Sequence, residues 1–352
     1  MKKFIPLAGL LASFFPSHVS AHEVYVLSDQ AIATAVATPR FEMLPVLFQN
    51  LGAFFLWAAI TATTILVVFI ISIAPRLERR FAPFFAKIKP YASTIGRVSI
   101  GLSFIASGYF QALYGPELPL AQIFGTYANF LSLLFIVIGI TIALGYFVRS
   151  SAFIGLLFFA VGTYFYGWYM LTYLTYLGEV VLLILLGTHK KSAESSFKLF
   201  SVRIRRLFAK ITDTLAPYGF FFLRITFGIS LIYSSVYAKI IHNNLALEVA
   251  ASPLANHFYG VAHYLGFEPH FLVLGAAIIE MVLGIFFLLG IEIRFFALFI
   301  EFWLMLSLFY FGETVWPHIM LIGIPIMFFC YGYDKYSLEG RYFKKGKLQP
   351  VL

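Results

Sequence analysis

The chain has 352 residues, of which 61% are hydrophobic, 19% aromatic and only 12% charged, with a mean hydropathy of +0.88. Soluble domains carry roughly 25% charged residues, so a soluble globular chain is excluded and an all-α polytopic membrane protein is expected. The net charge of +9 sits in short loops beside apolar stretches, which points to anionic lipid and away from nucleic acid, and the single Cys330 excludes an internal disulfide, a CxxC redox pair and a cysteine metal site.

Residues 1–21 read as a secretory signal peptide. Lys2 and Lys3 precede an apolar core, and Val19-Ser20-Ala21 fits a small-residue cleavage site. Residues 22–49 are polar enough to be an external segment, and Pro39 and Pro45 break any long helix there. The first span is expected at about 50–74. A loop follows with Arg76, Arg79, Arg80, Lys87 and Lys89, which the positive-inside rule assigns to the cytoplasm.

Spans are then expected at about 91–114, 121–148, 151–169 and 171–188. GPELP forms an outer turn between the first two, and an aromatic turn at 166–173 joins the last two. The run at 189–216 is the most basic in the chain and reads as a cytoplasmic linker with amphipathic character. A second group of spans is expected at about 217–240, 271–291, 295–311 and 317–333, with a long external loop at 241–270 and a basic cytoplasmic tail at 334–352. This arrangement puts every basic cluster on one side. It describes a multi-pass protein of a bacterial-type cytoplasmic membrane, with the N-terminus external and the C-terminus cytoplasmic.

The spans after the first divide into two similar sets. Arg97-Val-Ser-Ile-Gly101 matches Arg224-Ile-Thr-Phe-Gly228, and Gly145-Tyr-Phe-Val-Arg149 matches Gly290-Ile-Glu-Ile-Arg294. The spacing from Arg149 to Gly187 and from Arg294 to Gly332 is 38 residues in both. The sets, 91–188 and 217–333, begin on the same side and so are parallel repeats. They differ in charge. Lys239, Glu280, Glu301 and His318 of the second set overlay Ala112, Phe135, Leu156 and Tyr173 of the first, whereas Glu179 occurs only in the first.

The second set resembles the DoxX-type membrane family. The likeness rests on a first helix with Arg224 and Gly228 that ends near Lys239, and on a second helix with Glu280, Gly284 and Gly290 followed by Arg294. The resemblance implies four-helix units, two in tandem here behind one leading helix. It also implies a membrane subunit of a redox system that supports electron or proton transfer to quinone, with a soluble or membrane redox partner. Quinone is the cofactor that this reading suggests.

Ionisable residues at membrane depth are functional candidates by default. Arg224, Lys239, Glu280, Arg294, Glu301 and His318 are the candidate ligand or proton-relay residues. Glu280 and Glu301 with Arg224 and Arg294 form the leading constellation, and Arg97 with Glu179 is an expected ion pair of the first set. Two alternatives stand beside the quinone reading. The same charges suit a transporter of ions or small molecules, or an ion-pair network that fixes helix packing in a non-catalytic scaffold. No metal site is expected. His242, His257, His263 and His270 lie in the external loop without the spacing of ligands on one helix face, and His22 is a single residue.

Overall fold

The computed structural model describes residues 27, 29–49, 51–52, 54–187, 202–250, 268–311 and 316–343. The expected signal segment, His22, His257 and His263 lie outside them. Among the described residues the chain is helical throughout, and its one β-type pairing is an isolated bridge between Ala112 and Pro119.

Two short helices, α1 (Asp29–Ala37) and α2 (Met43–Gln49), open the described chain, with Pro39 between them. They are tied to the second repeat. Asn243 Nδ2 donates to Phe41 O at 2.7 Å and Asn243 Oδ1 accepts from Phe41 N at 3.2 Å. The leading helix α3 (Phe54–Arg80) is exposed along much of its length, as Trp57, Ile65, Val68 and Phe69 show. Among its described side chains Ala74 and Glu78 are the buried ones, at the end where α4 (Ala82–Ile88) and a 3₁₀ turn (Lys89–Tyr91) also pack.

The first repeat consists of α5 (Ala92–Tyr109), the short α6 (Leu120–Phe124), α7 (Ala128–Leu144), α8 (Val148–Tyr166) and α9 (Leu174–Leu186). The second consists of α10 (Val202–Ser235), α11 (Asn243–Ala250), α12 (Pro269–Leu289), α13 (Ile293–Phe311) and α14 (His318–Tyr331). α10 begins at Val202 and runs through Pro217, so the expected linker and span are one helix at that point. α14 likewise runs through Pro325.

Among the described residues, five stretches are long and apolar enough to cross a bilayer: Ile60–Arg80, Leu120–Leu144, Val148–Leu186, Thr214–Ile241 and Pro269–Leu289. The third covers both α8 and α9. α5, α13 and α14 fall outside that group, α5 and α14 for clear physical reasons. α14 has only 14 residues, and α5 carries four Ser residues and Arg97. Both are largely buried by other helices, and a helix surrounded by protein does not need a lipid-soluble surface. The chain is an all-α polytopic membrane protein.

The repeat is visible in the backbone. Gly145 and Gly290 both end a helix in the left-handed conformation, with φ 83° and 68°. Phe147 and Glu292, two residues on in each case, share φ 46° and 44°. The αL glycine is a common helix terminator because it lacks a Cβ. Within each set the first two long helices approach through paired glycines. A Cβ on Gly101 would lie 2.8 Å from Gly139 O, and one on Gly228 would lie 2.8 Å from Gly284 O.

The two sets are not independent bundles side by side. α5 packs more extensively on α14 than on α9, and α9 lies along α10. The last helix of each set is thus seated on the first helix of the other. One hydrophobic core, which includes Phe104, Phe135, Tyr176, Phe227, Phe287 and Met327, runs through both.

Candidate functional site

Helix ends set the chemistry of one end of the body. The last carbonyls of a helix have no intrahelical donor, and lipid offers none. Three arginines supply them. Arg149 donates to Ile184 O at 3.0 Å and Leu185 O at 3.3 Å, at the end of α9. Its counterpart Arg294 donates to Phe329 O at 2.9 Å and Tyr331 O at 3.2 Å, at the end of α14. Arg224 donates through one nitrogen to Phe287 O and Leu288 O, both at 2.6 Å, at the end of α12.

The acids that neutralise these arginines are not the expected ones. Arg224 Nε lies 2.6 Å from Asp334 and Arg294 lies 3.2 Å from Glu78, both pairs being buried. The leading constellation of Glu280 and Glu301 with Arg224 and Arg294 is therefore corrected. Arg224 and Arg294 are helix caps with carboxylate partners outside the expected spans. Arg294 also stacks on Phe85, 4.2 Å from the ring centroid. Lys89 is nearby, its Nζ 4.7 Å from the Tyr331 ring centroid. Burial, and then the charge of Arg294, push the Lys89 amine down to about 8.

Three buried carboxylates converge at this end. Oxygens of Glu78, Glu292 and Glu339 lie within 4.8 Å of one another, a spacing at which they could hold a cation. Protein groups already engage Glu78 and Glu339. Arg294 is on Glu78, and Glu339 Oε2 accepts from the Ile293 N–H at 3.1 Å.

At the far end the structure brings Lys239 and Glu280 together, 3.0 Å apart and mostly shielded. Lys239 sits in a π-helical turn, Val236–Ile241, that ends α10. Such turns are rare and frequent at functional sites. The same turn carries Tyr237, whose ring packs on Tyr169 at 5.1 Å, on Tyr233 at 6.1 Å and on His242 at 4.6 Å. Tyr169 donates to Glu117 Oε1 at 2.8 Å, and Tyr173 donates to the same oxygen. Beneath them Tyr114 and Tyr176 lie 4.6 Å apart and lead to Phe104.

The remaining candidates stand apart from both ends. Glu179 is fully buried where α5, α9 and α14 meet, and neither of its oxygens has a hydrogen-bond partner. Arg97 Nε is likewise without one. The expected Arg97–Glu179 ion pair is thus absent, because the Glu179 carboxyl rests against Gly96 and Met327 instead. Glu301 is half-buried with Oε2 lacking a partner. His318 is buried at the start of α14, and His270 packs edge-on against Phe41 at 4.6 Å. Cys330 is buried in the shared core.

Sequence reading missed Asp334, Glu78 and Glu117. Glu117 lies in GPELP, where the sequence shows an outer turn, and the tyrosines lie in the aromatic turn at 166–173. Their shared signal is density: one acid opposite a stretch with three tyrosines. No family model matches the chain, and no curated protein or solved structure is significantly similar to it.

Proposed function

We propose that the chain is the integral membrane subunit of a redox system that supports electron or proton transfer to a quinone. The head group is received beside Lys239 and Glu280. The observation that carries this reading is the π-helical turn that presents Lys239 to Glu280 beside Tyr237. A quinone carbonyl accepts a hydrogen bond from an ammonium group, and the positive charge favours the negative charge that reduction develops. A carboxyl beside it offers a proton route, and tyrosine faces suit a flat ring. Reduction of quinone to quinol takes two electrons and two protons. A separate redox partner supplies the electrons, and Glu280 and the Glu117–Tyr169 hydrogen bond stand on the proton side. In the expected orientation this end is external.

The test is quinone binding to the full chain in lipid nanodiscs. Wild type binds saturably, and Glu280→Gln and Lys239→Gln bind at least tenfold more weakly, equivalent to about 1.4 kcal/mol, while remaining folded. A folded wild type without saturable binding would overturn the reading.

A transport reading draws on a different observation, the seating of each repeat's last helix on the other repeat's first. Parallel repeats occur in transporters. Substrate-dependent flux in proteoliposomes would favour it.

A further inference from the structure

Arg97 is the exception among the arginines of the repeats. It overlays Arg224, yet it makes none of the bonds to helix-end carbonyls that Arg224 makes. The sequence gives a reason. The position that overlays Asp334, aligned through Arg149 and Arg294, is His189, so no acid stands at that aligned position in the first set. The guanidinium remains charged in any protein. It is buried one residue from Gly96, and Glu179 lies against Gly96.

We propose that Glu179 is a proton-exchange site and that Arg97 is the counter-ion it takes when the proton leaves. In the structure the carboxyl is enclosed with no donor to either oxygen, an environment that suits a neutral acid. Loss of the proton leaves a carboxylate and sends H⁺ to water, and the Arg97 guanidinium turns from its unpartnered position to pair with it. Two features permit the movement. Gly96 has no side chain between the two groups, and Met327, which also rests on Gly96, is flexible and gives way.

Among the described residues, the surroundings offer no competing charge partner to Glu179. Of the helices packed on α9, α5 carries Arg97 and Tyr109, and α14 carries His318, Cys330 and Tyr331. From Pro217 onward α10 carries Tyr218, Tyr233 and Arg224, and Arg224 is held by Asp334. α8 carries Arg149, used as a cap, with Tyr164 and Tyr166 at its far end. The 3₁₀ turn before α9 carries Tyr169 and Tyr173, both on Glu117. Within α9 Tyr176 turns its hydroxyl to Tyr114 O.

The test is infrared spectroscopy of the full chain in nanodiscs across a pH series. The expected result is a carbonyl band of a protonated carboxyl that is missing in Glu179→Gln. The band gives way to carboxylate absorption as the buffer is made alkaline, and Arg97→Gln suppresses that conversion. A band that persists in Glu179→Gln would overturn the proposal, as would a conversion unchanged in Arg97→Gln. Should Glu179→Gln fail to fold, wild type is treated with a hydrophobic carbodiimide and mapped by mass spectrometry. Modification at Glu179 that fades in alkaline buffer is expected, and an unmodified Glu179 overturns the proposal. No quinone is present, so failure here leaves the quinone reading untouched.

Discussion

The Arg224 guanidinium joins three parts of the chain: it lies in α10, donates to Phe287 O and Leu288 O at the end of α12, and pairs at 2.6 Å with Asp334 beyond α14. Removing one partner of a buried ion pair strands the other charge, at a cost of about 3–5 kcal/mol. Arg224→Gln is therefore expected to lower thermal stability in detergent strongly, and Asp334→Asn to do so by a comparable amount. The double variant is expected to lose much less than the sum, since neither charge is then stranded. A double-mutant cycle checks this, and strict additivity would contradict the coupling.

The equivalent arginines of the two repeats should differ in weight. Arg149 and Arg294 both cap a final helix, and Arg294 also holds a buried carboxylate, Glu78, and stacks on Phe85. Arg149→Gln is expected to cost roughly 1.5–3 kcal/mol, the range for hydrogen bonds that involve a charge. Arg294→Gln should cost more, and Arg294→Lys should recover little, because an ammonium cannot replace the planar fork. Equal losses at the two positions would show that Glu78 adds nothing.

The paired glycines predict a contrast on the helices of the second set. Gly228→Ala places a methyl 2.8 Å from Gly284 O, and backbone cannot turn aside. Overpacking of this kind costs about 1–3 kcal/mol. Gly275, on α12, has open space around a Cβ, so Gly275→Ala is expected to be neutral or to stabilise by up to about 1 kcal/mol. Melting temperatures of the two variants should move in opposite directions.

Lys89 makes a prediction about pH. Its amine is at about 8 in the folded protein, against 10.5 ordinarily. Between those values the unfolded chain holds the proton that the folded chain has released, so stability rises with pH across that window. Below about pH 8 both states are charged and the penalty of the buried ammonium is fully present. Lys89→Met removes the group, and is expected to raise stability at neutral pH and to flatten the rise above pH 8. A slope unchanged in the variant would assign the effect to another group.

Much of the fold was legible because the helices announce themselves locally. The repeat was legible too, since Gly145 and Gly290 mark the same left-handed stop and Arg149 and Arg294 the same cap. The charge partners were not. Asp334 lies 110 residues from Arg224 and Glu78 lies 216 residues from Arg294, and no helical spacing links residues so far apart. Depth along a span suggested Glu280 and Glu301, but helix ends needed capping more than the interior needed ion pairs. Lys239 and Glu280 were both singled out, yet neither pattern nor period revealed that a π-helical turn would join them. The crossed seating of the repeats had no sequence signal, because similar helices offer similar faces to either neighbour.

That crossed seating also governs biosynthesis. The first repeat leaves the ribosome with the α14-facing side of α5 bare, and Glu179 still lacks the Met327 side chain that helps to enclose it. Neither can be covered until α14 has been made. The nascent first half must therefore wait in lipid, or beside an insertion chaperone, while the second repeat is made. A ribosome stalled before α14 would strand an open half-protein for quality control to remove.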